Sequence, residues 1–119
     1  MTGSLAIVNA KLIDPAAGSV NPGGVLVLDR HIAATGSFEL PSGIETIDAQ
    51  GAYLAPGLVD LGIFAIDMAA FTAGGITRAA LMPDQSPPLD HSALVQRAAQ
   101  AGKPDIWIHP LAEIGRAHV

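Results

Sequence analysis

Two carboxylates, Asp60 and Asp67, are the residues whose type and spacing first suggest acid–base chemistry. General acid–base catalysis often uses a pair of carboxyl groups in different environments. These two flank the end of a predicted strand, where a strand-positioning group and a helix cap explain them more simply. Gly74-Gly75 could suggest a phosphate-binding loop. It lacks the lysine and the glycine spacing of such loops, so we interpret it as a helix stop.

The histidines do not have the spacing of a metal site. His31 is predicted in a hairpin turn, His91 at a helix start and His109 before Pro110 at a strand end. We interpret all three as solvated or locally hydrogen-bonded side chains, although the carboxyl end of a barrel strand, where His109 is predicted, is where such folds build their sites. The sequence contains no cysteine, which excludes a thiolate zinc site and a disulfide framework.

The first half of the chain is predicted to form short strands joined by turns. Asn21-Pro22-Gly23-Gly24 has the composition of a turn, and Asp29-Arg30-His31 that of a tight connection. The predicted strands cover residues 5–8, 11–13, 25–28, 32–35, 44–48 and 53–55. We expect residues 1–55 to form a meander of short antiparallel strands.

The pattern changes after Pro56-Gly57. Residues 58–64 form a nearly continuous apolar run, which is typical of a strand buried on both faces. The elements predicted after it are a helix over 68–73, a strand over 76–82, a helix capped by Asp90 and a strand from Ile106. Alternating strands and helices predict the opening of a parallel barrel or of a doubly wound sheet.

Composition favours an α/β fold and excludes several classes of partner. Of the 119 residues, 50% are hydrophobic and only 4% aromatic, so the core must consist of Ala, Val, Ile and Leu. The net charge of −5 leaves no basic surface for nucleic acid or an anionic membrane. No apolar run approaches the roughly 20 residues of a membrane-spanning helix, and the start lacks the basic region of a secretory signal. We therefore expect a cytoplasmic protein.

The last seven residues suggest a different origin. Residues 114–119, Ile-Gly-Arg-Ala-His-Val, are the translation of one frame of a common short-read sequencing adapter, in which the next triplet is a stop codon. Glu113 fits the same frame. We expect residues 113–119 to be a translated adapter tail, and the preceding sequence to be a fragment of a longer protein.

Several segments resemble the start of dihydroorotases and related cyclic amidohydrolases. The most specific is Ala55-Pro56-Gly57-Leu58-Val59-Asp60-Leu61, and the resemblance extends over residues 5–111. It is also carried by residues 9–15, 47–51, 73–77 and 82–83. The resemblance implies that residues 1–55 are the N-terminal portion of a β-sandwich, and that residues 56–112 begin a (β/α)8 TIM barrel with three strands and two helices.

The same resemblance implies that catalytic residues have been lost. Active members end the first barrel strand with two zinc-binding histidines and a substrate-binding arginine, and these positions are Gly62, Phe64 and Ile66 here. An asparagine that helps to hold substrate is replaced by Asp84. Two imidazoles two residues apart on a strand face the same way and can bind one metal, which lowers the pKa of water to near neutrality. We expect this chain to have no catalytic, substrate-binding or metal-binding residue, no cofactor and no activity alone.

Three functions remain open. The favoured one is a noncatalytic dihydroorotase-like protein of pyrimidine biosynthesis that acts as a structural partner of aspartate carbamoyltransferase, because noncatalytic members of the family assemble with that enzyme. The alternative is part of an active metal-dependent cyclic amidohydrolase, such as a dihydroorotase, hydantoinase or allantoinase, whose metal ligands lie on later strands. A self-standing binding module is disfavoured by the open parallel edge after Trp107. We expect the full-length protein to be an oligomer.

Overall fold

Two separate β-sheets organise the chain. The computed structural model describes residues 3–84 and 88–111 and divides into two units, Met1–Pro56 and Gly57–Val119, which we call the N-terminal unit and the C-terminal unit. The predicted adapter tail, residues 113–119, lies outside the described residues. Within the described ranges, no helix is long and apolar enough to cross a membrane.

The N-terminal unit is a five-stranded mixed sheet. Its strands are β1 (Leu5–Asp14), β2 (Ser19–Leu28), β3 (His31–Gly36), β4 (Thr46–Asp48) and β5 (Tyr53–Leu54). The order is β3-β2-β1-β4, and β5 also pairs with β1. β2 is antiparallel to both β1 and β3, as a meander requires, but β4 and β5 run parallel to β1. The prediction of purely antiparallel strands over residues 1–55 is therefore wrong, because residues 37–45 take the chain from one sheet edge to the other.

Residues 21–24, predicted as a turn, lie inside β2 instead. The hairpin turn between β1 and β2 is formed by residues 15–18. Pro22 is tolerated because it lies beyond the end of the β2–β3 ladder, so its missing N–H removes no hydrogen bond on that side. Gly24 is needed because a Cβ there would clash with the carbonyl oxygen of Ile7. Gly24 therefore allows two neighbouring strands to approach closely. A segment rich in Asn, Pro and Gly does not by itself distinguish this role from a turn.

The second hairpin turns at two residues with left-handed backbone. Asp29 has φ of 50° and Arg30 has φ of 67°, as a two-residue type I′ turn requires. His31 was predicted inside this turn but begins β3, where it pairs with Leu28. Its Nδ1 lies 2.8 Å from the carbonyl oxygen of Asp29. This local contact agrees with the interpretation of His31 as a locally hydrogen-bonded side chain.

The C-terminal unit alternates strands and helices. Its elements are β6 (Leu58–Ile63), α1 (Met68–Gly74), β7 (Ile76–Leu81), α2 (Ser92–Gln100) and β8 (Trp107–Pro110). The three strands pair in the order β6-β7-β8 and are all parallel. This succession is the repeated unit of a parallel α/β fold, in agreement with the predicted class.

One face of the parallel sheet forms the core of this unit. The buried residues are Ile63, Phe71, Ala79, Leu81, Leu89, Ala98, Ile106 and Ile108. The prediction that residues 58–64 are buried on both faces is wrong, because only Ile63 of β6 is buried. Leu61 is 80% exposed and Phe64 is 61% exposed. β6 lies at an edge of the sheet with β7 as its one neighbouring strand in the described residues, so most of its apolar surface is uncovered.

The helix ends follow the predicted signals with one exception. Asp67 caps α1, since its Oδ1 accepts a hydrogen bond from the N–H of Ala70 at 3.0 Å, and Gly75 ends the helix with a left-handed φ of 73°. The N-cap of α2 is His91 rather than the predicted Asp90. The Asp90 carboxylate bonds Nδ1 of His91, so this oxygen is directed at the imidazole rather than at the first turn.

Candidate functional site

The carboxyl ends of β6, β7 and β8 meet at one edge of the parallel sheet, which we call the carboxyl edge. Ile63 pairs with Leu81, and Leu81 pairs with Pro110. Backbone hydrogen bonds continue beyond the strands. The N–H of Met82 donates to the carbonyl oxygen of Ile63 at 2.8 Å, and the N–H of Leu111 donates to the carbonyl oxygen of Leu81 at 2.9 Å. Parallel α/β folds place their ligands and catalytic groups at this end.

Gly62 brings no side chain to the carboxyl edge. A Cβ built at this position would have the Met82 Sδ as its nearest neighbour, at 4.0 Å, so the position is open rather than sterically closed. The Oδ1 of Asp60 accepts a hydrogen bond from the N–H of Gly62 at 3.0 Å. Asp60 therefore orients the end of β6 through a contact with the backbone. This agrees with the interpretation of Asp60 as a strand-positioning group.

The other three degenerate positions also lack the chemistry of the family pattern. Phe64 follows β6 and has a largely exposed ring without a lone pair. Ile66 is half-buried and packs against the core of the C-terminal unit, so it is an apolar packing residue where the pattern has a cation. Asp84 is exposed just after β7 and places an anion where the pattern has a neutral amide. Gly62 thus lies in the last part of β6, Phe64 and Asp84 follow the ends of β6 and β7, and Ile66 packs against the core.

The three described histidines lie in different elements. His31 lies in the N-terminal unit, while His91 caps α2 with a side chain that is 74% exposed. His109 lies in β8 opposite Ala80 and is exposed. Among residues 3–84 and 88–111, no group of three or more His, Cys, Asp or Glu side chains could bind a metal ion. The donor set of the described carboxyl edge does not fit the zinc site of active dihydroorotases.

The described residues also bury no polar or charged side chain. Catalytic acids, bases and nucleophiles are typically desolvated groups placed beside a specific charge partner. Asp60 and Asp67 make backbone hydrogen bonds that explain them structurally. Within the described residues, these two carboxylates are therefore explained by contacts to the backbone.

A cluster around Trp107 is the feature that sequence reasoning missed. The guanidinium of Arg78 lies 5.5 Å from the centre of the Trp107 ring, and the Lys103 Nζ lies 4.7 Å from it. Arg78 and Trp107 are register partners on adjacent parallel strands. The alternation of Trp107 with the buried Ile106 and Ile108 was visible in the sequence, but the strand register that pairs it with Arg78 was not.

Comparisons with known proteins relate the chain to dihydroorotases. No protein-family model matches it. A curated protein named dihydroorotase from Syntrophotalea carbinolica is 34% identical over an alignment 119 positions long, which covers 87% of this chain and 28% of that protein. Another dihydroorotase, from Pelotomaculum thermopropionicum, is 30% identical, and the alignment covers 94% of this chain and 29% of that protein. The chain thus spans less than a third of the length of these relatives.

A solved structure supports the predicted fold. The L-hydantoinase (dihydropyrimidinase) from Arthrobacter aurescens superimposes with a TM-score of 0.71 over 91% of this chain and 27% of its own length, at 24% identity. The likeness confirms the fold class, a sheet-rich α/β chain that matches part of a TIM-barrel enzyme. Together with the dihydroorotase relatives, it identifies the chain as similar to amidohydrolases of this kind.

Proposed function

We propose that the chain is part of a dihydroorotase-like protein of pyrimidine biosynthesis that has lost metal-dependent hydrolysis and serves as a structural partner of aspartate carbamoyltransferase. The observation that carries the proposal is the end of β6, where Gly62 and Phe64 supply no metal donor. The similarity to proteins named dihydroorotase supports the general family. The carbamoyltransferase is inferred from the behaviour of noncatalytic members of that family.

The loss at β6 affects the first requirement of the chemistry. A bound zinc ion would supply an activated water for hydrolysis of a cyclic amide, and such a catalytic ion normally has three protein ligands. Gly62 and Phe64 leave the two positions on this strand without a donor. Asp84 would in addition repel a substrate carboxylate instead of binding it. The substitutions thus remove metal and substrate contacts together.

The backbone around the end of β6 is held by local contacts. Asp60 still bonds the N–H of Gly62, and Asp67 and Gly75 still delimit α1. The core of the C-terminal unit does not involve Gly62 or Phe64. The fold is kept although the carboxyl edge has no metal donor at Gly62 and Phe64. The simplest explanation is that another surface of the protein still binds a partner, and this favours a structural role.

An active cyclic amidohydrolase is the second candidate. The observation in its favour is that the curated relatives carry the name of an enzyme, dihydroorotase. In that case the metal ligands would have to come from strands outside this chain. Histidines at the ends of later barrel strands, together with an aspartate at the last one, would support this candidate when the longer reading frame is obtained.

The experiment uses the protein encoded by that longer reading frame. The purified protein should not hydrolyse dihydroorotate, and it should co-purify with aspartate carbamoyltransferase and increase the thermal stability of that enzyme. The dihydroorotase of Syntrophotalea carbinolica serves as the positive control of the assay. Turnover at about 1–1000 per second, the range of ordinary enzymes, would contradict the noncatalytic role. Failure to associate with the carbamoyltransferase would contradict the structural role.

A further inference from the structure

Arg78 and Trp107 lie on the face of the parallel sheet that the helices do not cover. They alternate in sequence with Ala79, Ile106 and Ile108, which are buried in the core on the helix side. Successive side chains of a strand lie on opposite faces of the sheet. In a (β/α)8 barrel the helices surround the sheet, so the face of Arg78 and Trp107 is the barrel interior. The 47% exposure of Trp107 is therefore one that a closed barrel would remove.

The two cations beside Trp107 lie at different depths. The pairing of Arg78 with Trp107 lies three register positions before that of Leu81 with Pro110 at the carboxyl edge. Arg78 therefore belongs to the amino half of the interior, which layers of side chains fill in such barrels. Lys103 precedes β8, and its Nζ lies 4.7 Å from the centre of the Trp107 ring. At that rim a long side chain can keep its ammonium in water, whereas Arg78 starts from within the sheet.

Arg78 has no carboxylate partner among the described residues. Across residues 3–84 and 88–111, the ion pair within 4.0 Å is that of His91 with Asp90. Asp60, on the neighbouring strand, uses its Oδ1 for a backbone N–H of its own strand. The Arg78 guanidinium lies 5.5 Å from the centre of the Trp107 ring, a contact that gives its five N–H donors no oxygen acceptor. Because an unpaired charge is strongly destabilising once it leaves water, a barrel that closes over Arg78 requires an acceptor for it.

We propose that a later barrel strand of the longer protein places an Asp or Glu side chain against Arg78 in the amino half of the barrel interior. A carboxylate can accept two parallel N–H bonds from a guanidinium, which compensates a buried cation in both charge and hydrogen bonding. The ion pair joins β7 to a strand that follows this chain. The proposal rests on the chain being part of a longer barrel, as proposed above, and it is independent of whether that protein hydrolyses amides.

The longer reading frame gives the first test. Its barrel strands are located by superposition on the L-hydantoinase from Arthrobacter aurescens, which this chain matches with a TM-score of 0.71. We expect an Asp or Glu at an inward-facing position in the first half of at least one later strand. A reading frame without an acidic residue at any such position would overturn the proposal.

Thermal unfolding of the purified longer protein gives the second test. Arg78→Met keeps a long side chain but leaves the carboxylate buried without its partner, so the melting temperature should fall by at least about 5 °C. Replacing the carboxylate by its amide in the same protein should recover at least about half of that fall, because no unpaired charge then remains. The amide replacement in the wild type should lower the melting temperature, since it leaves Arg78 without its anion.

The matched control variant is Arg97→Met. Arg97 is exposed in the last turn of α2, outside the barrel, so its replacement should change the melting temperature by no more than about 2 °C. If Arg78→Met alone does not fold, the double variant should still fold. An Arg78→Met protein as stable as the wild type, or a double variant no more stable than Arg78→Met, would contradict the ion pair. These readouts depend on neither hydrolysis nor the carbamoyltransferase, so they separate this proposal from the proposed function.

Discussion

The two units of the molecule bury apolar surface in different ways. In the N-terminal unit the buried hydrophobic residues are Ala6, Ala10 and Leu26, and the sheet is organised by the long ladder between β1 and β2. In the C-terminal unit eight buried residues form one cluster between the parallel sheet and its helices. The first unit depends mainly on turn geometry and strand register, whereas the second depends mainly on packing.

The comparison also bears on the proposed loss of a metal site. The core of the C-terminal unit lies on the helix-covered face of the sheet, while Gly62 and Phe64 lie outside that core at the carboxyl edge. At Gly62 and Phe64, the positions of the metal donors in the family pattern are therefore not core positions. Donors can disappear from the edge without a large change in the free energy of unfolding.

The largest expected effect is a core truncation in the C-terminal unit. Leu81 is fully buried, so Leu81→Ala should lower the free energy of unfolding by about 3–5 kcal/mol, through lost burial and a residual cavity. Leu26→Ala in the N-terminal unit should lower the free energy of unfolding by about 2 kcal/mol. The loss is smaller because few buried residues surround Leu26, so the space left by the side chain is not enclosed by a rigid core. Urea denaturation measures both losses. Equal losses would show that the two units do not differ in their dependence on packing.

A pair of glycine substitutions tests the opposite property, backbone proximity. Gly24→Ala should destabilise by about 1–3 kcal/mol, because the new methyl group meets the carbonyl oxygen of Ile7. Gly62→Ala should change stability by no more than about 0.5 kcal/mol, since the nearest atom is the Met82 Sδ at 4.0 Å. Thermal unfolding of both variants gives the comparison. A costly Gly62→Ala would mean that this position is constrained by the fold rather than by lost chemistry.

The helix cap of α1 should have a smaller effect. Asp67→Ala removes the hydrogen bond to the N–H of Ala70 and should cost about 1 kcal/mol, and Asp67→Asn should recover most of this loss. Hydrogen exchange of the amides in the first turn of α1 reports the effect locally. If Asn and Ala destabilise to the same extent, the carboxylate has a role other than capping.

The last comparison concerns a gain in stability at the turn between β2 and β3. Arg30 has a φ of 67°, so Arg30→Gly should stabilise the hairpin by about 0.5–1 kcal/mol by relieving a left-handed conformation. A rise in melting temperature is the expected observation. A fall would indicate that the Arg30 side chain contributes more than its backbone strain costs.

The local signals of the sequence predicted the succession of elements well. Asp67, Gly74-Gly75 and the apolar runs located α1 and the parallel strands because caps, breakers and periodicity act within a few residues. The placement of residues 21–24 was wrong because the close approach of Gly24 to Ile7 depends on a partner strand. Strand direction in β4 and β5 likewise depends on distant pairing.

The candidate site could be predicted only where side-chain chemistry decides the matter. Gly62 has no side chain to serve as a metal ligand in any fold, so this expectation needs no coordinates. The pairing of Arg78 with Trp107 depends on parallel register, which the sequence does not encode locally. The predicted loss of metal binding by Gly62 and Phe64 stays a prediction until it is measured.

The central claim is that the carboxyl edge of this chain cannot hold a catalytic metal ion, and zinc content tests it most directly. The wild-type chain, loaded with zinc and passed through gel filtration, should retain far less than one ion per chain, whereas G62H/F64H should retain more than its G62A/F64A control, because histidines two residues apart on a strand face the same way. One zinc ion retained per wild-type chain, and lost in His109→Ala, would contradict the account.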